Sequence, residues 1–152
     1  MKTIITILLL FGSFALFGQA ENGIRRRNIN NENFIALRHF DPVSYFNNKP
    51  LRGSEKIQHD HKGIIYYFAS AENKEIFQKT PDKFEPAYGG YCAYTFATTG
   101  ERVKIDPTSY RIVNGRLFLF YNFSGDNRLL KWTNAPNKKN LIAAADKKWK
   151  LR

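Results

Sequence analysis

The stretch SYRIVNGRLFLFYN, residues 109–122, decides the fold class of this chain. Two runs rich in aromatic, leucine and β-branched side chains flank Asn114-Gly115. A two-residue type I′ turn needs residues that tolerate positive φ, and Asn-Gly is the strongest short-range hairpin signal of that kind. The stretch therefore predicts a β-hairpin.

A second hairpin is predicted upstream of the first. Residues 55–60 (EKIQHD) and 63–69 (GIIYYFA) flank a short polar link, and the second run is rich in β-branched and aromatic residues. Ser70 is suited to cap a following helix, and Pro81 suits the first position of a short helix that runs through Phe84.

Two more helices are predicted near the C-terminus. Residues 125–136 indicate a short helix that ends before Pro136, and residues 137–152 follow an amphipathic pattern. Its apolar positions, expected to face the core, are Leu141, Ile142, Ala145 and Trp149. The predicted fold class is α+β: a small antiparallel sheet built from two hairpins, covered by short helices and a C-terminal amphipathic helix. Because the aromatic content is 15%, the core should be built from large rings.

The first twenty residues have the pattern of a secretory signal peptide. Lys2 precedes a mostly apolar run from Ile4 to Phe17, and the small residues Gly18 and Ala20 stand where a signal peptidase would cut. This run is shorter than the roughly 20 apolar residues that a transmembrane helix needs. We therefore expect a secreted or periplasmic protein without a transmembrane anchor after processing.

The predicted organisation has three parts. Residues 1–20 form the signal peptide, residues 21–33 a flexible basic and polar tail, and residues 34–152 one domain. The net charge is +11, and it becomes +10 without Lys2 (23 Lys+Arg minus 13 Asp+Glu). Export disfavours nucleic acid as a partner, so this charge indicates either an anionic envelope surface as a partner or simply a solvated charged face.

Five segments together resemble the YHS domain, and more narrowly its exported branch. The resemblance covers residues 34–152. The segments are DPVSYF (41–46), GSEKI (53–57), GIIYYFASAENKEIF (63–77), PDKFEPAYGGYCAY (81–94) and ADKKW (145–149).

The resemblance implies a link to metal handling, but with different ligands. Family members of that kind place cysteines in Asp-Pro-Val-Cys and Phe-Cys-Ser, and the matching positions here are Ser44 and Ala69. A transition metal as cofactor fits the family, whereas the thiolates that a soft metal prefers are absent from these two positions.

Cys92 is the only cysteine in the chain. It cannot form an internal disulfide, so three alternatives are open: a buried inert thiol, an intermolecular partner, or a reactive, catalytic thiol. The preceding glycine pair lets the backbone turn tightly and approach a ligand closely. We expect a cleft beside this turn, and its predicted ligand-binding residues are Tyr88, Gly89, Gly90, Tyr91 and Tyr94.

The three histidines are candidate metal ligands together with Cys92. His59 and His61 are two residues apart, so on a strand both would point to one face. His39 gains importance if the fold brings it near Cys92. The alternative is that these histidines are ordinary solvated residues near a hairpin tip.

Two functions follow from these residues. No serine nucleophile elbow, phosphate loop or His-Glu-x-x-His helix is present in the sequence, which favours a non-enzymatic protein. The first hypothesis is an exported YHS-like binding module that holds a metal ion or small ligand near the Gly-Gly-Tyr-Cys turn. The alternative is a thiol-based redox protein that uses Cys92 as a single reactive cysteine.

Overall fold

The structure, a computed structural model, describes residues 21–151. The predicted signal peptide lies outside these residues. Among the residues described, no helix combines the length and apolarity needed to cross a bilayer.

Both predicted hairpins are confirmed. The first consists of β3 (Ser54–His61) and β4 (Ile64–Phe68), and the second of β5 (Asp106–Val113) and β6 (Arg116–Phe120). Asn114 and Gly115 have φ values of 50° and 72°, as a type I′ turn requires. The fold class is α+β.

The two hairpins belong to separate sheets. Two short strands, β1 (Asn31–Glu32) and β2 (Ile35–Ala36), extend the first hairpin to a four-stranded sheet of order β1-β2-β4-β3, in which only the β2–β4 pair is parallel. The second hairpin is a two-stranded sheet, and β7 (Asn122–Phe123) pairs with β8 (Asp126–Asn127). Turn chemistry predicts each hairpin, but it carries no information on pairing between hairpins.

Six helices surround the sheets in the part of the chain that the structure describes. They are α1 (residues 21–28), α2 (Ala71–Lys79), α3 (Pro81–Phe84), α4 (Ala93–Thr98), α5 (Arg128–Asn134) and α6 (Lys138–Lys150). Ser70 caps α2 as predicted, since its hydroxyl accepts a hydrogen bond from the backbone N–H of Asn73 at 3.1 Å.

The core is aromatic, as the composition predicts. Its largest fully buried side chains include Tyr45, Phe68, Phe77, Phe96 and Phe118. In α6, Ala145 is buried, and Leu141, Ile142 and Trp149 are packed against the core, which confirms the predicted apolar face. Buried tyrosines find partners for their hydroxyls: Tyr45 donates to the carbonyl of Pro107 at 2.9 Å.

The structure corrects the prediction of a flexible tail over residues 21–33. Residues 21–28 are helical, Ile29 is buried, and residues 31–32 pair in the first sheet. Arg26 donates to the carbonyl of Gly63 at 2.9 Å, and Arg102 donates to the carbonyl of Arg27 at 2.9 Å. The polar composition hid this packing because only one apolar side chain of the segment enters the core.

Candidate functional site

The Gly-Gly-Tyr-Cys segment begins with a left-handed turn. Within the turn Ala87–Gly90, Tyr88, Gly89 and Gly90 have φ values of 56°, 62° and 79°. Such a conformation is strained for tyrosine, and strained backbone of this kind tends to occur at ligand clamps and active sites. The turn is held by the burial of its own Tyr88 ring and by hydrogen bonds from Asn30, in the segment that follows α1.

Residues 28–30 pack against the glycine pair and hydrogen-bond to it. A Cβ atom on Gly89 would overlap the carbonyl oxygen of Asn28 and lie 3.0 Å from the Trp149 ring. The backbone N–H of Asn30 donates to the carbonyl of Gly89 at 2.8 Å, and its side-chain amide donates to the carbonyl of Gly90 at 2.9 Å. Gly89 is therefore needed for close backbone approach, and the partner that approaches is the segment after α1.

A cleft of about 450 Å³ opens beside this turn. Residues from α1, β4, α3, the Tyr88 turn, the tip of the second hairpin and α6 line it. The apolar and aromatic part of the wall is formed by Ile29, Pro86, Ala87, Tyr88 and Trp149. The polar and charged part is formed by Arg25, Tyr66, Asp82, Lys83, Glu85 and Arg116, and Gly89 and Gly115 complete the rim.

Glu85 organises one end of the cleft. Its Oε1 atom forms an ion pair with Arg25 and accepts a hydrogen bond from the Tyr66 hydroxyl at 2.6 Å. Burial raises the pKa of Tyr66 well above its ordinary value, and the Glu85 carboxylate raises it further. Tyr66 therefore stays protonated and acts as a hydrogen-bond donor at neutral pH.

Arg116 and Asp146 organise the other end. Arg116 binds Asp146 through two hydrogen bonds of 2.8 and 3.1 Å, and Tyr88 donates to the same carboxylate at 2.9 Å. The hydrogen bond from Arg116 is the largest cause that lowers the pKa of Asp146. The Arg116 guanidinium also lies 5.6 Å from the centroid of the Tyr88 ring, so the strained tyrosine is braced on two sides.

Cys92 lies in the core and not at the edge of the cleft. Its exposed fraction is 0%, and its sulfur accepts a hydrogen bond from the Thr95 hydroxyl at 3.2 Å. Thr95 in turn accepts a hydrogen bond from Arg128. This placement corrects the expectation of a thiol displayed in a tyrosine-lined cleft, because the backbone after Gly90 turns inward and Cys92 bridges to Leu119 of β6.

The five predicted ligand-binding residues divide into two groups. Tyr88 and Gly89 line the cleft. The other three, Gly90, Tyr91 and Tyr94, are not among the described residues that line the cleft. Tyr91 instead lies beneath the Arg102 guanidinium, 5.6 Å from its ring centroid, and Tyr94 is packed against the core.

The histidines lie in two different places. His39 stacks on Tyr67 with ring centroids 5.4 Å apart, and its Nδ1 atom is 3.2 Å from Arg52. His59 and His61 share one face of β3, as predicted, and both contact the Phe77 ring edge-on.

One group of potential metal ligands forms within residues 21–151. His61, Asp82 and Glu85 each offer a ligand atom, and these atoms lie within 4.8 Å of one another. Of the predicted ligands, His61 belongs to this group, whereas Cys92, His39 and His59 do not. Sequence reasoning missed Asp82 and Glu85 because no motif joins them to a histidine more than 20 residues away.

Ser44 and Ala69, the positions for which the resemblance to metal-handling YHS domains implies cysteine, both hydrogen-bond to Asp41. This carboxylate is fully buried and accepts hydrogen bonds from the backbone N–H groups of Ser44 at 3.3 Å and Ala69 at 2.9 Å. It also accepts hydrogen bonds from Val43 at 2.8 Å and Asn73 at 2.6 Å. Ser44 and Ala69 provide no thiolate there, so the residues present do not fit a soft-metal site.

Comparisons of the chain with models of known protein families, with curated proteins and with solved structures give no match.

Proposed function

We propose that this chain is an exported, YHS-like, non-enzymatic binding module whose ligand is a small organic anion with a flat apolar part. The observation that carries the proposal is the cleft beside the strained Tyr88–Gly89 turn. Ligand sites are typically clefts of several hundred Å³ with apolar walls and convergent polar groups, and this cleft of about 450 Å³ combines five apolar or aromatic side chains with six polar or charged ones.

The flat apolar part is favoured by the rings that form the wall. Tyr88 and Trp149 line the cleft, with Ile29 and Pro86 nearby. A planar ligand can bury its faces against these side chains.

The anionic part is favoured by the distribution of charge. The three cationic side chains that line the cleft, Arg25, Lys83 and Arg116, outnumber its two carboxylates, Asp82 and Glu85. Among the described residues, no carboxylate lies within ion-pair distance of Lys83. The net charge of the processed chain, +10 (23 Lys+Arg minus 13 Asp+Glu), adds a long-range attraction for anions.

A titration with 1-anilinonaphthalene-8-sulfonate, a flat aromatic anion, tests this proposal. We expect saturable binding to the folded protein and quenching of Trp149. Arg116→Gln should weaken binding several-fold, whereas Arg111→Gln on the same hairpin should not, because Arg111 does not line the cleft and its side chain hydrogen-bonds to Thr133. Equal effects of both replacements, or no saturable binding, would refute an anion site in this cleft.

The thiol-based alternative has one supporting observation. Arg128 donates a hydrogen bond to the Thr95 hydroxyl, which in turn donates to the Cys92 sulfur, so a guanidinium lies close to the thiol. The full burial of the sulfur argues against direct reaction with a substrate. We therefore favour the cleft over the thiol.

A further inference from the structure

We propose that His61, Asp82 and Glu85 form a binding site for one divalent transition-metal ion, with Zn²⁺ as the best-suited probe. Their ligand atoms lie within 4.8 Å of one another at the end of the cleft where Asp82 and Glu85 form the wall. One imidazole and two carboxylates are donors that such ions accept.

The distances are close to those of a bound ion. With metal–ligand bonds of about 2.1 Å, two ligands of a tetrahedral zinc ion lie roughly 3.4 Å apart. Ligand atoms within 4.8 Å therefore need to move together by little more than 1 Å. Asp82 is exposed and is the second residue of the short helix α3, so its side chain can make most of this adjustment by rotation.

Each of the three residues has a free donor atom. The Nε2 atom of His61 is buried and has no hydrogen-bond partner among the residues described. A buried polar atom without a partner is rare and needs an explanation, such as an ion that binds it. Within residues 21–151, Glu85 uses only its Oε1 atom, and the carboxylate of Asp82 accepts no hydrogen bond.

Arg25 competes with a metal ion for Glu85. Its guanidinium already neutralises one carboxylate oxygen, so a bound cation would feel its repulsion. Removing this charge should therefore strengthen metal binding, which a nonspecific surface site would not show.

Zn²⁺ titration of the purified protein by calorimetry tests the site. We expect one ion per chain, with affinity lowered at least about tenfold by His61→Ala and raised by Arg25→Gln. His59→Ala is the matched control, because His59 lies on the same face of β3 but outside the ligand group. The zinc affinity of this variant should equal that of the wild-type protein. Asp82→Asn serves as a second ligand variant that leaves the core intact, since Asp82 is exposed.

The absence of a stoichiometric site, or equal losses in His59→Ala and His61→Ala, would overturn the proposal. Retention of full affinity in both His61→Ala and Asp82→Asn would overturn it as well.

A second experiment repeats the titration with 1-anilinonaphthalene-8-sulfonate in the presence of Zn²⁺, and this experiment rests on the proposed function. Because zinc neutralises the two acidic groups of the cleft, it should tighten binding of the dye. Metal binding without dye binding would refute only the proposed function, and dye binding without metal binding would refute only the metal site.

Discussion

Replacing Gly89 by alanine should destabilise the protein far more than replacing a glycine of similar backbone conformation elsewhere. Gly89 has a φ of 62°, and Gly125, in the turn between β7 and β8, has a φ of 80°. A Cβ on Gly89 would overlap the Asn28 carbonyl, whereas a Cβ on Gly125 meets nothing within 4 Å. Comparing Gly89→Ala with Gly125→Ala separates the cost of placing an alanine in a left-handed conformation from the cost of displacing residues 28–30.

The magnitude follows from the contacts. A left-handed conformation costs an alanine about 1 kcal/mol in either variant. In Gly89→Ala the displaced segment also loses its two hydrogen bonds from Asn30, worth about 1 kcal/mol each, and part of the burial of Ile29, worth about 1–2 kcal/mol. We therefore expect a loss of about 4–5 kcal/mol for Gly89→Ala and about 1 kcal/mol for Gly125→Ala.

Urea unfolding followed by circular dichroism measures both values. If Gly89→Ala falls within about 1 kcal/mol of Gly125→Ala, the segment is not held by the turn. The glycine pair would then need another explanation.

Three further predictions concern buried and charged groups. Folded Cys92 should react with iodoacetamide at least about 100-fold more slowly than in denaturant, because the sulfur is reached only after unfolding, and rapid native labelling would restore the thiol hypothesis. Asp41→Asn should cost about 3 kcal/mol, because an amide cannot accept all four hydrogen bonds, and a loss below about 1 kcal/mol in urea unfolding would contradict this. The lowered pKa of Asp146 predicts a stabilising contribution that is present above its unfolded pKa of about 3.9 and is lost as the pH falls through the folded pKa. Thermal unfolding of wild type and Asp146→Asn from pH 2 to 6 checks it, and an unchanged pH dependence would contradict it.

Local chemistry made the hairpins and helix caps predictable. Asn114-Gly115 allows positive φ at two successive positions, and Ser70 offers a hydroxyl to the first turn of α2. Both signals act over a few residues and need no knowledge of tertiary packing.

The left-handed turn Leu37–His39 was not predictable in the same way. Its three residues have φ values of 55°, 50° and 72°, although none of them is glycine or asparagine. The conformation is imposed by the surrounding contacts, including the buried side chain of Leu37. No residue in this stretch predicts it from sequence.

The cleft was predictable only in part. The glycine pair indicated that the backbone turns tightly and approaches another group closely, and Tyr88 and Gly89 do line the cleft. The group that approaches lies about 60 positions earlier in the chain, as shown by the hydrogen bond from the Asn30 side chain to the carbonyl of Gly90. Such long-range contacts leave no spacing in the sequence, so the partner of the turn was misidentified as Cys92.

Two-dimensional NMR of the ¹⁵N-labelled protein during titration with 1-anilinonaphthalene-8-sulfonate tests the central claim most directly. Binding in the cleft should shift the backbone signals of Gly89 and Arg116 and the indole signal of Trp149, and should leave those of Cys92 and Thr95 in place. Shifts centred on Cys92 and Thr95, or spread evenly over the basic surface, would contradict the assignment of this cleft as the ligand site.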